Sequence, residues 1–360
     1  MRTLVLSDLH LAARDGRDVL RDADTRTRLI ERLPGVTRLV LLGDVIELRQ
    51  GPARDALLTA RPVLAELAQA LDAEAEVILV PGNHDHRLLA PWLSRRALQD
   101  HSAPLGLETN VDWEPGEPLS ALAEAVPPGR LRVAYPGVWL SDRVYATHGH
   151  YGDRHTTLPI LERLGAGLTA RVVGERPGGP ARAEDYEATL APVYAWIDVI
   201  AEYGGPSLPG SGAGMQARLW QRMSRRSGRR AAASRMAAGV GVRATVAALN
   251  RAGVGPLKAD LSGHELRRAA LRAFAEVVGR LEVTAHHVIF GHTHRAGPLR
   301  GDEAGEWRTA TGAALLNTGS WVHEPSFLGR SPGQSPYRAG FAAELGDGEP
   351  PGLINLLDRD

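Results

Sequence analysis

The sequence predicts an α/β fold in which the carboxyl ends of several strands carry the functional side chains. Apolar, strand-like runs alternate with helical patterns, and a short polar cluster follows each of five such runs. The 360 residues have a formal net charge of zero and include no cysteine, so disulfides and thiolate metal sites are excluded. A chain of this length forms one large domain or two smaller ones.

Five apolar segments are predicted to be the strands that directly precede the polar clusters. They are Leu4 to Leu6, Leu39 to Leu42, Val77 to Val80, His287 to Phe290 and, less clearly, Val144 to Thr147. Helices are predicted over Thr25 to Leu33 and in a segment ending near Leu71, where Pro62 indicates a kink or restart. Residues 92–128, interrupted by proline and glycine, are predicted to be irregular loops. Further strands are predicted over Leu131 to Tyr135, Ala314 to Asn317, Ala339 to Leu345 and Leu353 to Leu357.

The polar clusters contain carboxylates, imidazoles and one carboxamide. They are Asp8-Leu9-His10, Gly43-Asp44, Gly82-Asn83-His84-Asp85, His148-Gly149-His150 and Gly291-His292-Thr293-His294. Each cluster alone fits a turn, a helix cap or a hydrogen-bonded core histidine. Because loops at the carboxyl ends of strands build sites in open α/β sheets, all five together favour a site. These ligand types suit a pair of divalent transition metals.

The order of the clusters resembles the pattern of the calcineurin-like metallophosphoesterases, which is DxH, GD, GNH, H and GHxH. The resemblance covers the first half and the last quarter of the chain, and it implies a four-layer α/β/β/α sandwich. It further implies that one metal is bound by Asp8, His10 and His294, the other by Asn83, His148 and His292, and both by Asp44. In this resemblance His84 is a catalytic histidine that binds no metal, and Asp85 orients it.

The implied reaction is hydrolysis of a phosphoester or pyrophosphate bond by in-line attack of a hydroxide that bridges two divalent metals. A shared carboxylate such as Asp44 would reduce the repulsion between cations about 3.5–4 Å apart. His84 would stabilise charge on the phosphoryl oxygens or, as a cation, donate a proton to the leaving oxygen. Mn²⁺ is the expected metal, and Fe, Zn and Ni are alternatives.

Two further residues are expected to bind the substrate, His150 and Arg295. His150 belongs to an extension of the fourth cluster that also contains Asp153 and His155. These side chains could contact the substrate phosphate or orient His148, and the alternative is that they cap a helix beginning near Thr156. Arg295 directly follows the last cluster.

The chain is predicted to consist of a metallophosphoesterase core, residues 1–153 and 281–360, and a helical, arginine-rich insertion, residues 154–280, that acts as a lid. A helical face is predicted from Leu190, Val193, Ile197 and Ile200. Ser262 and Glu265 form a capping box ahead of a second helix. Between Glu202 and Asp260 there is no acidic residue, but ten basic ones: Arg218, Arg222, Arg225, Arg226, Arg229, Arg230, Arg235, Arg243, Arg251 and Lys258.

The region from Arg218 to Arg235 has four interpretations. It mixes guanidinium groups with large apolar side chains such as Trp220 and Met223, a composition that fits contact with an anionic membrane surface. It also fits a nucleic-acid backbone or the diphosphate of a nucleotide. The fourth interpretation is a solvated or disordered loop.

The substrate is expected to be a phosphorylated small molecule or a lipid-linked or nucleotide-type compound. Gly43 to Glu47, Gly291 to Arg295 and the helical insertion resemble the UDP-2,3-diacylglucosamine diphosphatases, although that group carries arginine where this chain has His84. A nuclease or phosphodiesterase acting on nucleic acid, and a non-catalytic binding protein, are the alternatives. With no signal-peptide pattern and no run of roughly 20 apolar residues, a cytoplasmic protein, peripheral on the inner membrane face, is expected.

Overall fold

The computed structural model describes residues 1–99, 103–156, 169–170, 178–203, 263–329 and 331–358. The strands in these ranges are β1 (Thr3–Leu6), β2 (Arg38–Leu42), β3 (Glu76–Val80), β4 (Glu108–Asn110), β5 (Leu131–Ser141), β6 (Val144–Thr147), β7 (His287–Phe290), β8 (Ala314–Asn317), β9 (Phe341–Leu345) and β10 (Gly352–Asn355). The α-helices there are α1 (Ala23–Ile30), α2 (Ala53–Ala70), α3 (Ala90–Leu98), α4 (Pro118–Ala123), α5 (Ala183–Tyr203), α6 (Gly263–Arg280) and α7 (Pro325–Leu328). Five 3-10 helices in the same ranges cover Val19–Arg21, His86–Leu89, His150–Arg154, Ala304–Trp307 and Pro332–Gln334.

The described strands form one ten-stranded sheet that the long strand β5 divides into two halves. The order is β10-β9-β1-β2-β3-β5-β6-β7-β8, and β4 pairs with β5 outside this path. The first part of β5 is parallel to β3, whereas its second part is antiparallel to β6. Strands β1, β2 and β3 are mutually parallel, as are β6, β7 and β8. The polar clusters therefore follow strands that end at the same edge of each half.

The two halves of the sheet pack face to face. Val5 and Val40 from one half share a buried apolar cluster with Ala146 and Ile289 from the other. Successive side chains of a strand point to opposite faces, so alternate residues form the outer surfaces. On one outer surface Leu39 and Val77 share a cluster with Leu64 and Leu67 of α2. On the other, Val288 and Leu315 share a cluster with Phe274 and Val278 of α6. The predicted α/β/β/α architecture is confirmed.

The prediction of irregular structure over residues 92–128 is wrong in three places. Helices α3 and α4 and strand β4 lie within or overlap this range. Pro91 and Pro118 occupy the first turns of α3 and α4, where the missing N–H costs no helical hydrogen bond. Pro62 likewise lies inside α2, which runs without interruption from Ala53 to Ala70. Burial of one face of α2 against the sheet outweighs the local cost of this proline.

Two helices are described within residues 154–280, and both bury apolar faces. In α5 the side chains of Leu190, Val193 and Ile197 are buried as predicted, and Ile200 is half-buried. Ser262 and the side chain of Glu265 lie outside the described residues, as does the whole region from Arg218 to Arg235. The division into core and insertion, and the lid, stay predictions. Among the described helices, none combines the length and apolar character needed to cross a membrane.

Candidate metal centre

The loops that follow the strands bring acidic, imidazole and amide side chains into contact. Asp8 and His10 follow β1, Asp44 follows β2, Asn83 follows β3, His148 follows β6, and His292 and His294 follow β7. Backbone hydrogen bonds fix the first two loops to each other: the Asp8 N–H donates to Gly43 O at 3.0 Å and the His10 N–H to Asp44 O at 2.8 Å. Residues far apart in sequence thus share one site.

Asp8, His10 and His294 form the first group of potential ligands. Their candidate ligand atoms all lie within 4.8 Å of one another. His294 Nε2 lies 3.1 Å from His10 Nε2 and 3.2 Å from Asp8 Oδ1. The second oxygen of Asp8 accepts from the His292 N–H at 3.0 Å, which fixes the orientation of the carboxylate.

Asp44, His148 and His292 form the second group, and Asn83 adjoins it. Candidate ligand atoms of the three lie within 4.8 Å of one another. The Asn83 amide oxygen lies 3.2 Å from His148 Nε2, and the same position is 3.1 Å from His292 Nδ1 and 3.3 Å from Asp44 Oδ2. His148 Nδ1 donates to Leu42 O at 3.0 Å. Its Nε2 is therefore the atom turned to the group.

The oxygen and nitrogen atoms around Asn83 test whether the residues fit a cation. One oxygen or nitrogen atom from each of Asn83, Asp44, His148 and His292 converges at this point, as the ligands of a bound cation do. Turning the amide would direct its nitrogen to the same atoms and its oxygen to Arg49 Nη1 at 3.0 Å. Carboxylate, imidazole and amide donors together fit a divalent transition metal. The donor set and its convergence therefore fit the predicted pair of metals.

The pKa shifts of these side chains show that the group attracts positive charge. Burial acts to raise the pKa of Asp44, but the charges of His148 and His84 outweigh it and hold that pKa well below its usual range. Burial acts to lower the pKa of His148, yet Asp44 raises it to about 10. The buried carboxylate is thus balanced by a proton on His148. A metal cation would supply that charge and displace the proton.

Backbone strain is concentrated in the same residues. Asp8, His10, Asp44, His292 and His294 have φ values of 54°, 44°, 50°, 67° and 58°. Residues other than glycine rarely adopt this left-handed region, which costs roughly 1–3 kcal/mol each unless the surroundings impose it. Strained residues of this kind gather at functional sites. Here the strain turns side chains from separate loops towards one another.

Glycines in three of the clusters leave space for ligands from other strands. A Cβ on Gly43 would lie 2.3 Å from the His148 ring, and one on Gly82 would lie 2.5 Å from Asp44 Oδ1. A Cβ on Gly291 would lie 2.4 Å from Asp8 Oδ2. The glycine that opens each of these clusters is therefore explained by close packing between neighbouring loops.

Replacing Gly43 by alanine is expected to destabilise the metal-free protein by about 2–5 kcal/mol. The substitution adds left-handed backbone strain at φ 78° and a clash with the buried His148 ring. Gly35→Ala is the matched control, since Gly35 has φ 76° and nothing within 4 Å of an added Cβ. Gly35→Ala should cost only about 1–2 kcal/mol in urea denaturation. Equal losses in the two variants would contradict the predicted packing against His148.

Glu47 holds two imidazoles of the site, a role that the sequence analysis missed. Its carboxylate accepts from Nδ1 of His10 at 3.1 Å and from Nδ1 of His84 at 2.9 Å. Burial acts to raise the pKa of Glu47, but the charge of His84 and the hydrogen bonds from both imidazoles keep that pKa well below its usual range. The signal in the sequence was an acidic residue three positions after Asp44.

The prediction that Asp85 orients His84 is wrong. Its two carboxylate oxygens accept from the backbone N–H groups of Gly82, at 2.6 Å, and Val45, at 2.8 Å. Burial and the nearby Asp44 raise the pKa of Asp85 to about 6. Asp85 thus joins the loops after β2 and β3, while Glu47 orients His84.

Of the two predicted substrate-binding residues, Arg295 is engaged elsewhere. Its guanidinium donates to both oxygens of Asp302, at 3.0 and 2.6 Å, and lies over the Trp307 ring. This is a structural ion pair, so the predicted contact of Arg295 with substrate is not supported. Asp302, seven positions later in the sequence, therefore takes the place of a substrate phosphate as the partner of Arg295.

His150 is buried behind the site. Its Nε2 lies 3.1 Å from the Tyr135 hydroxyl. Burial and the charge of His148 hold the pKa of His150 well below its usual value, so the ring is neutral. The ring lies 5.7 Å from that of His148. A buried, neutral ring of this kind supports His148 better than it would bind a phosphate, contrary to the prediction.

Asp153 and Glu187 extend the polar network. Asp153 Oδ1 accepts from His292 Nε2 at 2.8 Å, which leaves Nδ1 of His292 facing Asn83. Glu187 of α5 accepts from His86 Nε2 at 3.0 Å and from the hydroxyls of Tyr135 and Tyr151. These hydrogen bonds could not be assigned from the sequence, because the two residues that form each one lie more than 30 positions apart.

Comparison with known proteins shows a similarity to the calcineurin-like phosphoesterase family, whose model matches residues 1–171. The matched range contains the first four polar clusters. No match was found among curated proteins. Among solved structures, the crystal structure of a dimetal phosphatase from Danio rerio is similar over 99% of both chains, at 15% sequence identity and a TM-score of 0.33.

Proposed function

We propose that the chain is a calcineurin-like phosphoesterase, the family whose model matches residues 1–171, and that its metal centre hydrolyses a phosphoester or pyrophosphate bond with two divalent cations. The observation that carries this proposal is the convergence of seven potential ligands from five separate loops. Enzymes of two-metal type clamp both the attacking and the leaving oxygen of an in-line displacement. The carboxylate and imidazole donors of the centre are those that a metal-dependent phosphoesterase requires.

The proposed ligands divide into two sets with one shared carboxylate. Asp8, His10 and His294 hold one cation, and Asn83, His148 and His292 hold the other. Asp44 is shared, and its Oδ2 supports this role because it lies 3.2 Å from His148 Nε2 and 3.9 Å from His10 Nε2. Glu47 and Asp153 orient ligands from each set through the imidazole nitrogen that faces away from the centre.

When bound, the two cations would act as Lewis acids on the phosphoryl group and on the attacking water. His84 completes the arrangement from the rim of the centre. Its backbone N–H donates to Asp44 Oδ1 at 2.7 Å, and its Nδ1 is held by Glu47. The opposite ring nitrogen, Nε2, is then available to hydrogen-bond a phosphoryl oxygen or to protonate the leaving oxygen.

The proposed substrate is a phosphorylated small molecule of lipid-linked or nucleotide type. Support comes from the resemblance of two clusters to the UDP-2,3-diacylglucosamine diphosphatases and from the ten basic residues between Glu202 and Asp260. Mn²⁺ is the proposed metal. The same basic composition favours one second candidate, a phosphodiesterase acting on nucleic acid, because such residues also neutralise backbone phosphates.

Purified protein with Mn²⁺ is expected to hydrolyse p-nitrophenyl phosphate or bis(p-nitrophenyl) phosphate and to contain two metal ions per chain. Metal loading should increase with pH, because binding displaces the proton from His148, whose pKa is about 10 in the metal-free chain. Parallel assays with a nucleoside diphosphate sugar and with single-stranded DNA separate the two substrate classes. Undiminished turnover after complete removal of metal by a chelator would disprove the proposal.

A further inference from the structure

Helix α5 turns its inner face to the candidate metal centre. Glu187 bonds to His86 and to Tyr135, and the Tyr194 ring lies 4.9 Å below the Arg49 guanidinium. Near the carboxyl end, Glu202 accepts from Arg87 at 2.7 Å and from the Ala53 N–H at 3.3 Å. These contacts fix which side of α5 faces away from the protein.

The outer face of α5 is apolar and exposed. Between Ala188 and Ile200, every exposed side chain is apolar: Ala188, Pro192, Ala195, Trp196 and Val199. Their spacing along the chain places them on one stripe of the helix. Trp196 and Val199 are each 57% exposed. A stripe of this kind, with a large aromatic side chain at its centre, is typical of a surface that contacts a partner.

The acidic side chains of α5 do not interrupt this stripe. Glu184 accepts from the Leu105 N–H at 2.9 Å, and Asp185 accepts from the Arg182 N–H at 2.9 Å. Glu187 is buried, and Glu202 is paired with Arg87. Four of the five carboxylates in α5 are therefore directed to protein partners, and the fifth, Asp198, is half-buried, so none of them is fully exposed on the outer face.

The sequence that follows α5 indicates the charge of that partner. Between Glu202 and Asp260 all ten charged residues are basic. A second copy of this chain would carry the same basic sequence, so it would offer no complementary charge to the first. The phosphates of a nucleic acid would attract these basic residues, but a nucleic acid has no apolar layer in which tryptophan and valine side chains could be buried. An anionic bilayer accepts both, because its interface takes up apolar side chains and its headgroups attract arginine.

We propose that the outer face of α5 docks the protein peripherally on an anionic lipid bilayer. Trp196 and Val199 enter the boundary between headgroups and acyl chains, and electrostatic attraction adds to their apolar contribution. Because the inner face of the same helix is bonded to the loops of the metal centre, docking holds that centre at the membrane surface. Docking through this surface is independent of the proposed reaction.

Co-sedimentation of the full-length protein with lipid vesicles tests this proposal. Wild type should bind vesicles of phosphatidylglycerol and phosphatidylcholine more strongly than vesicles of phosphatidylcholine alone. The double variant Trp196→Ser, Val199→Ser should reduce the partition coefficient at least about tenfold. The matched control is Leu98→Ser, which changes an exposed apolar residue of α3 that is 85% accessible, and it should bind as wild type does.

Three results would overturn the proposal. The first is no binding of wild type to the anionic vesicles, and the second is equal binding by the double variant. The third is a change from dimer to monomer in the double variant with unchanged vesicle binding, which would assign the stripe to contact between copies. Turnover of p-nitrophenyl phosphate should be the same in wild type and both variants, so failure of docking is distinguished from failure of the proposed phosphoesterase function.

Discussion

Asp44→Asn is expected to lower kcat/KM by at least about 10³-fold, roughly 4 kcal/mol of transition-state stabilisation, and to reduce bound metal below two ions per chain. Asparagine keeps the shape of the side chain and an oxygen that can still accept from the His84 N–H. It replaces the other oxygen, which lies 3.2 Å from His148 Nε2, by an amide nitrogen that cannot bind a metal. The variant also removes the negative charge that two neighbouring cations would share.

The matched control for this substitution is Asp302→Asn. Asp302 is a carboxylate of low exposure that pairs with Arg295 outside the metal centre. Its loss should lower stability but leave two metals bound and kcat within a few-fold of wild type. Elemental analysis and steady-state kinetics on all three proteins would measure both effects. Two bound metals together with wild-type turnover in Asp44→Asn would contradict the shared role of this carboxylate.

The sequence predicted the strands and clusters of this fold well because both are local patterns. Each strand is a short buried run, and the polar side chains follow it within a few residues, as at Leu39 to Asp44. Parallel strands then bring their carboxyl ends to one edge without further information. The side chains that the sequence located, such as Asp8 and His292, depend only on this topology.

The residues that orient the ligands could not be predicted in the same way. Asp85 is adjacent to His84 in sequence, but its carboxylate is directed to the Gly82 and Val45 N–H groups. Glu47 is distant in sequence, yet it contacts the His84 ring. Which carboxylate reaches an imidazole depends on the turn conformations of two loops and on how they pack. Left-handed backbone at Asp44 changes such directions without any signal in the residue types.

Prolines account for the errors in the first half of the fold. A proline looks the same in the sequence whether it begins a helix or interrupts one in a loop. Pro91 and Pro118 begin helices whose apolar residues, such as Trp92 and Leu119, are buried against the rest of the protein. Only the tertiary packing of those residues distinguishes the two cases.

His84→Ala is expected to reduce kcat by about 10²–10⁴-fold while both metals remain bound. His84 belongs to neither of the two ligand sets proposed here. Its Nδ1 is held by Glu47, so the lost function is the hydrogen bond or proton supplied by Nε2. His323→Ala, at an exposed histidine, is the control for the loss of an imidazole and should leave kcat unchanged. Loss of bound metal in His84→Ala would instead identify His84 as a ligand.

A double-mutant cycle with Glu47→Gln then separates two ways in which Glu47 acts. If its effect on turnover runs through His84, Glu47→Gln should cost about 10–100-fold in wild type but much less in the His84→Ala background. The contact with His10 remains in both backgrounds. Any loss that persists without His84 therefore measures the orientation of His10, and it should be accompanied by weaker metal binding. Fully additive losses with unchanged metal affinity would show that the Glu47–His84 contact does not contribute to catalysis.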